Sequence, residues 1–202
     1  MSKIRLILIS SLYFKYIIVG NSGTGKTTFL HSLTDKIIKE EKSTIGVDFR
    51  VKRLSLYGKK VSIQIWDTAG LPKYHHLITR YYRNFVCAFI LYDITDQESF
   101  NNLDYWLNDI KKDGSKYSII VLIGNKSDNE KNRVIPKIKG EEYASLNNLK
   151  FFEVSSLNIS SNIEDIFMNI TKEITIKVRD NDNNIYSWFK MLWNINNKWK
   201  IL

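Results

Sequence analysis

Apolar positions along the chain follow two rhythms that take turns. The run "YFKYIIV" (13–19) is rich in β-branched and aromatic residues and ends at a glycine loop. Over residues 27–38, Phe29, Leu30, Leu33 and Ile37 recur at helical spacing, which predicts a helix. "DFRVKRLSLYG" and "KKVSIQIWD" then alternate apolar and polar residues on either side of Gly58. That pattern predicts a β-hairpin whose first strand lies near a sheet edge. "VCAFILYD" and "SIIVLIGNKSD" are continuous apolar runs, as in strands buried on both faces of a parallel sheet. Between them "SFNNLDYWLNDIKK" aligns Phe100, Leu103, Trp106, Leu107 and Ile110 on one stripe, which predicts a single helix with Ser99 near its start. "FFEVSS" reads as a last short strand, and "NIEDIFMNITKEITIKV" as a closing helix. Strand–helix alternation with one early hairpin predicts an α/β fold, a mostly parallel sheet with helices on both faces.

A chain of 202 residues suits one domain with a substantial core. Hydrophobic content of 44% and charged content of 25% place it in the soluble globular class. The single cysteine, Cys87, lies in an apolar run. It is expected to be a small core residue, and one cysteine excludes an internal disulfide framework. The net charge of +9 is spread through the chain without a block of consecutive Lys/Arg, so nucleic-acid binding is not expected. "MSKIRLILISSLYFKYIIVG" has the basic residue and apolar run of a weak signal peptide, but the run leads directly into the glycine loop. Residues 1–12 are therefore read as an N-terminal extension, with export the minor alternative. No stretch reaches the ~18–20 uninterrupted apolar residues of a membrane span. From residue 179 the composition shifts to "RDNDNNIYSWFKMLWNINNKWKIL", a linker followed by an aromatic, basic tail (179–202).

"GNSGTGKT" (20–27) fits the pattern G-x-x-x-x-G-K-[ST]. Glycines let the backbone curl so that its N–H groups point at phosphate oxygens. Lys26 would reach the β- and γ-phosphates as a compact charge, and the Thr27 hydroxyl would ligate Mg²⁺. The loop alone does not choose between ATP and GTP. "GNKSD" (124–128) does. A carboxylate at Asp128 accepts both N–H groups on the Watson–Crick edge of guanine, and adenine offers no such pair. Asn125 can bond the other side of the ring and tie its loop back to the phosphate loop, while the Lys126 stem can lie over the base.

Gly20, Asn21, Ser22, Gly23, Thr24, Gly25, Lys26, Thr27 and Thr28, then "STIGVDF" (43–49), "IWDTAG" (65–70), "YYR" (81–83), "LYDIT" (91–95), "NKSD" (125–128) and "EVSS" (153–156), stand in a particular order and spacing. Together they resemble the Ras superfamily of small GTPases. "IGVDF", "IWDTAG", "YYR" and "YDIT" resemble its Rab branch, which controls vesicle traffic. The resemblance implies a P-loop NTPase G domain over residues 13–178, a six-stranded, mostly parallel sheet with one antiparallel edge strand. It implies GTP or GDP as the bound nucleotide and Mg²⁺ held by Thr27, Thr44 and Asp67. Thr44 would also offer its N–H to the γ-phosphate, as would Gly70. Ser155, Ser156 and Leu157 match the guanine-side loop. Phe49, Trp66 and Tyr81, with Ile45, Gly46 and Val47, match an effector-facing patch. Effectors, an exchange factor and a GTPase-activating protein are the implied partners of a monomer in the cytoplasm or on the cytosolic face of endomembranes.

The chain departs from that pattern at named positions. Leu71 stands where the family usually carries the Gln that orients the attacking water. Its side chain cannot hydrogen-bond, so slow intrinsic hydrolysis is expected, with Lys26, Thr44 and Gly70 the remaining catalytic groups. A neutral natural variant, served by a partner's Gln and Arg, and an engineered activating change both remain open. Pro72 should alter the loop that follows. Ile37 stands near a position that often holds an aromatic residue against the base, and Leu157 replaces a commonly basic one. His75 and His76 are read as solvated residues of that loop, without the Cys/His company of a metal site. Asp93 is read as a strand-end or cap residue. No cysteine follows Cys87, so the sequence as given carries no prenylation motif. The tail with Trp188, Phe189, Trp193 and Trp199 is open between a membrane-touching segment, one packed on the domain or a partner, and a truncated end.

Overall fold

The computed structural model describes residues 11–34, 47–71, 78–158 and 162–180. The strands are β1 (Ser11–Val19), β2 (Val47–Leu56), β3 (Lys59–Thr68), β4 (Phe85–Asp93), β5 (Gly114–Asn125) and β6 (Lys150–Glu153). They form a six-stranded sheet in the order β2-β3-β1-β4-β5-β6. Every neighbouring pair is parallel except β2 and β3, which run antiparallel. That is the expected architecture, with β2 at the edge. The hairpin turn is the pair Tyr57 and Gly58, at φ 51° and 73°. Two residues at positive φ give the turn whose twist matches the flanking strands.

The helices among the described residues are α1 (Lys26–Ser32), α2 (Gln97–Asn101), α3 (Leu103–Lys111), α4 (Lys137–Leu146) and α5 (Ile163–Asp180). Period-two alternation in β1 divides the core between two faces. Leu12, Phe14, Tyr16 and Ile18 join one cluster with Phe29 and Leu30 of α1 and Phe167, Ile170 and Ile174 of α5. Ile17 and Val19 join the other, with Leu103, Trp106, Leu107 and Ile110 of α3 and Ala144 of α4. All nine residues of β4 are buried, as its unbroken apolar run requires. The buried Tyr16 hydroxyl donates to Thr171 Oγ1 at 2.9 Å, which ties α5 to the central strand.

The structure departs from the sequence reading in three places. The stripe from Phe100 to Ile110 predicted one helix, but the backbone leaves helical geometry at Asn102 (φ −86°, ψ 6°), which separates α2 from α3. Asn is a weak helix former because its amide competes for nearby backbone groups. Asp96 is the N-cap, its side chain accepting from Glu98 N, and Ser99 lies near the helix start as expected. The Ser99 hydroxyl lies inside α2 and accepts from Asp93 N at 2.9 Å. Helix α4 was not foreseen, because "KIKGEEYASL" has no apolar stripe; it buries only Gly140 and Ala144. Helix α1 ends at Ser32, followed by a turn, and the remainder of the expected helix lies outside the described residues.

Candidate functional site

The glycine loop joins β1 to α1 at the C-terminal edge of the sheet, with Gly20, Gly23 and Gly25 at φ 140°, 83° and 85°. A Cβ on Gly25 would strike the Asn125 amide, and one on Gly70 would strike the Lys26 ammonium and Ser22 N, so both positions require the absence of a side chain. Ser22 N donates to Gly70 O at 3.1 Å, which couples the loop to the end of β3. The Lys26 side chain is buried and donates to Asn21 O at 2.6 Å. Thr24 Oγ1 donates to the same carbonyl at 2.9 Å. Burial lowers the Lys26 ammonium to about 8, against the attraction of Asp67. A desolvated cation at the bottom of a loop gains from an incoming anion. Thr27 Oγ1 donates to Asp67 Oδ2 at 2.5 Å. These two oxygens, one hydroxyl and one carboxylate, are hard donors of the kind that Mg²⁺ takes beside substrate phosphates. Thr28 is half-buried in the first turn of α1.

Asn125 draws a second loop and a third onto the first. Its Nδ2 donates to Thr24 O at 2.8 Å, and its Oδ1 accepts from Ser156 N at 3.1 Å and Ser156 Oγ at 2.9 Å. Lys126, next in the chain, sits at φ 66°, a left-handed conformation that costs roughly 1–2 kcal/mol for a residue with a Cβ. Its ammonium pairs with Asp93 Oδ2 at 2.6 Å, and the Asp93 carboxylate also accepts from Thr95 N and Oγ1. Asp93 thus closes a turn, as expected, and also holds Lys126. Ser127 N donates to Val154 O at 3.1 Å, joining this segment to the one that follows β6. Asp128 is exposed. Ser155 is buried and its Oγ accepts from Asn158 N, whereas Leu157 is 73% exposed.

A third group lies along β2 and β3. Phe49 and Trp66 are register partners whose rings stack at 5.0 Å, and the Tyr81 ring lies 5.3 Å from that of Trp66. Lys15 Nζ sits over the Trp66 ring at 5.1 Å. Burial lowers the Lys15 ammonium to about 8, with Asp113 opposing the shift. Phe49 remains 48% exposed, so the row is a surface feature and the edge of the core at once. Val47 begins β2, and Leu71 is half-buried beside Gly70. Thr44, Ile45 and Gly46, together with Ile37, Pro72, His75 and His76, lie outside the described residues, as do 1–10 and the tail from 181 onward. No group of three His, Cys, Asp or Glu side chains is placed to hold a metal among the described residues. Cys87 is fully buried, and burial pushes its thiol well above the ordinary range, so it is a core residue rather than a reactive one. No helix among the described residues is long and apolar enough to cross a membrane.

The structure therefore brings Asn21, Lys26, Thr27, Asp67, Gly70, Asn125 and Ser156 into one connected site. Two contributors were invisible in the sequence. Trp106, read as a stripe residue, donates its indole N–H to Asn21 Oδ1 at 2.8 Å. Arg133 spends its guanidinium on Glu130, on Ile135 O and, bidentately, on Glu153 at 2.8 and 2.9 Å. It clamps the segment after Asp128 to the end of β6. An Arg within ten residues of a functional motif carries no pattern that marks its partner. Compared with known families, the chain matches the model of the Ras family over residues 15–176, most of its length.

Proposed function

The chain belongs to the Ras family, and from that membership we propose that it is a Rab-like small GTPase, a GTP/GDP switch in intracellular vesicle trafficking that hydrolyses GTP slowly. Family membership makes it a small GTP-binding switch protein; the branch, the trafficking role and the slow rate are our reading. The observation that carries the guanine assignment is the set of three Asn125 hydrogen bonds, which hold the phosphate loop, the N-K-x-D segment and the Ser156 loop together. In this reading Asp128 accepts the two N–H groups of guanine, and Ser155, Ser156 and Leu157 line its oxygen side. The N–H groups of residues 21–27 and the Lys26 ammonium take the phosphates. Thr27 and Asp67, with Thr44, hold Mg²⁺, which when bound neutralises charge developing on the transferred phosphoryl group. Gly70 offers its N–H to the γ-phosphate, and Leu71 leaves the attacking water without a side-chain partner. Loading with GTP orders the segments around Thr44 and Gly70 and so presents Phe49, Trp66 and Tyr81, with Ile45, Gly46 and Val47, to effectors.

Leu71 also favours a second reading, a module that stays GTP-bound and hydrolyses almost nothing. Two measurements decide. Titration calorimetry with GTP and ATP tests the base: equal affinity for both sinks the guanine assignment. Single-turnover hydrolysis by the wild type and by Leu71→Gln tests the rate, with the variant expected to be faster; equal rates remove the role given to Leu71. Nucleotide extracted from the purified chain separates the two readings, GDP pointing to a turning-over switch and GTP to a holder. Beyond the site, the expected G domain of residues 13–178 is widened by two residues at each end, where β1 (Ser11–Val19) and α5 (Ile163–Asp180) run past it, and the rest of 1–12 and 179–202 flanks it. The aromatic, basic tail makes peripheral contact with endomembranes. Imaging the chain with and without residues 184–202 tests that contact; a diffuse signal in both counts against it.

A further inference from the structure

Trp106 is 98% removed from solvent among the apolar side chains that cover the second face of the sheet, in one cluster with Val19 and Ala69. Val19 precedes Gly20 and Ala69 precedes Gly70, so this cluster supports the phosphate loop and the end of β3 from below. From that cluster the Trp106 indole N–H donates to Asn21 Oδ1 at 2.8 Å. A buried indole N–H needs an acceptor, and here the acceptor belongs to the loop. The backbone carbonyl of the same Asn21 is where Lys26 Nζ arrives at 2.6 Å and Thr24 Oγ1 at 2.9 Å. Asn21 is thus held at its side chain by α3 while its main chain sets the position of the lysine.

Resting on the nucleotide-binding reading above, we propose that Trp106 is a positioning residue for the phosphate loop: its indole N–H fixes Asn21 and, through the Asn21 carbonyl, the place from which Lys26 meets the phosphates. It touches no phosphate itself. Its loss frees the Asn21 side chain, and the loop that must close on nucleotide becomes less ordered. Nucleotide release then quickens, and α3 becomes a handle by which the rest of the molecule bears on the site.

The test is release of a fluorescent GDP analogue from the full chain, chased with excess GDP, for wild type, W106F, N21L and W106F/N21L. A net hydrogen bond predicts a roughly three- to tenfold faster release in each single variant. The double variant should be no faster than the faster single one, because both changes remove one contact. Independent, multiplying effects overturn the proposal. The indole ¹⁵N–H resonance of Trp106, assigned by its loss in W106F, supplies a readout that loosened packing would not reproduce. It should shift in N21L, whose change lies outside the apolar cluster, and an unmoved resonance overturns the proposal even if W106F folds poorly. A wild-type chain that binds no GDP analogue overturns the nucleotide reading and this proposal with it, whereas binding with additive rates overturns this proposal alone.

Discussion

Replacing Asn125 with alanine removes the tie on which three loops depend. Asn125 is 1% exposed and makes three hydrogen bonds, to Thr24 O, from Ser156 N and from Ser156 Oγ. The Ser156 hydroxyl can turn to water, so its loss is nearly free. The two backbone groups cannot turn. A buried polar group that loses its partner costs about 1–3 kcal/mol, so two of them amount to about 2–4 kcal/mol after partial relaxation. How that sum divides depends on the loops. If they stay in place, the folded state is destabilised and the melting temperature falls by about 5–15 °C, at ~2–4 °C per kcal/mol for a domain of this size. If they relax and let water satisfy the freed groups, nucleotide must draw them back, and affinity falls by roughly 30- to 1,000-fold, at 1.4 kcal/mol per decade. Differential scanning fluorimetry without nucleotide and titration calorimetry with GDP measure the two parts. The parts should sum to about 2–4 kcal/mol. Asn125→Asp keeps the acceptor but sets an anionic oxygen against Thr24 O, so it should be no milder. A variant within about 2 °C and about threefold of wild type on both assays would refute the reasoning.

The Lys26 ammonium, lowered to about 8 by burial, makes nucleotide affinity sensitive to pH. Bound phosphate favours the charged form and raises that value, so affinity should be full below about pH 8 and fall by up to ~10-fold per unit above it; calorimetry between about pH 7 and about pH 9 checks this, and a flat profile counts against it. Gly25→Ala meets both a φ of 85° and the Asn125 amide, so nucleotide affinity should drop by at least ~10-fold in the same calorimetric assay. Arg133→Ala breaks a bidentate pair with the mostly buried Glu153. We expect a loss of about 2–3 kcal/mol, seen as a melting temperature lower by roughly 5–10 °C.

Much of this molecule follows from local rules. Unbroken apolar runs predicted β4 and β5 because a strand covered on both faces needs apolar side chains at every position. Alternation around Gly58 predicted the hairpin, since the turn needs residues at positive φ and β2 has one neighbour only. The phosphate loop was legible because its glycines answer close approaches within and between loops that follow strand ends. What eluded the sequence depended on partners far along the chain. Helix α4 has no stripe because its contact side is made of absences: a Cβ on Gly140 would strike Phe151 and the Tyr92 hydroxyl, so close packing replaces an apolar face. Asp93 and Lys126 meet because the β4–β5 register sets Asp93 opposite Asn125. Trp106 looks like any core aromatic in a periodic stripe, and only the docking of α3 beneath the loop gives its N–H an acceptor 85 residues away. Periodicity reports which side of an element is apolar; it carries no record of which distant atom a single polar group will face once the elements are packed.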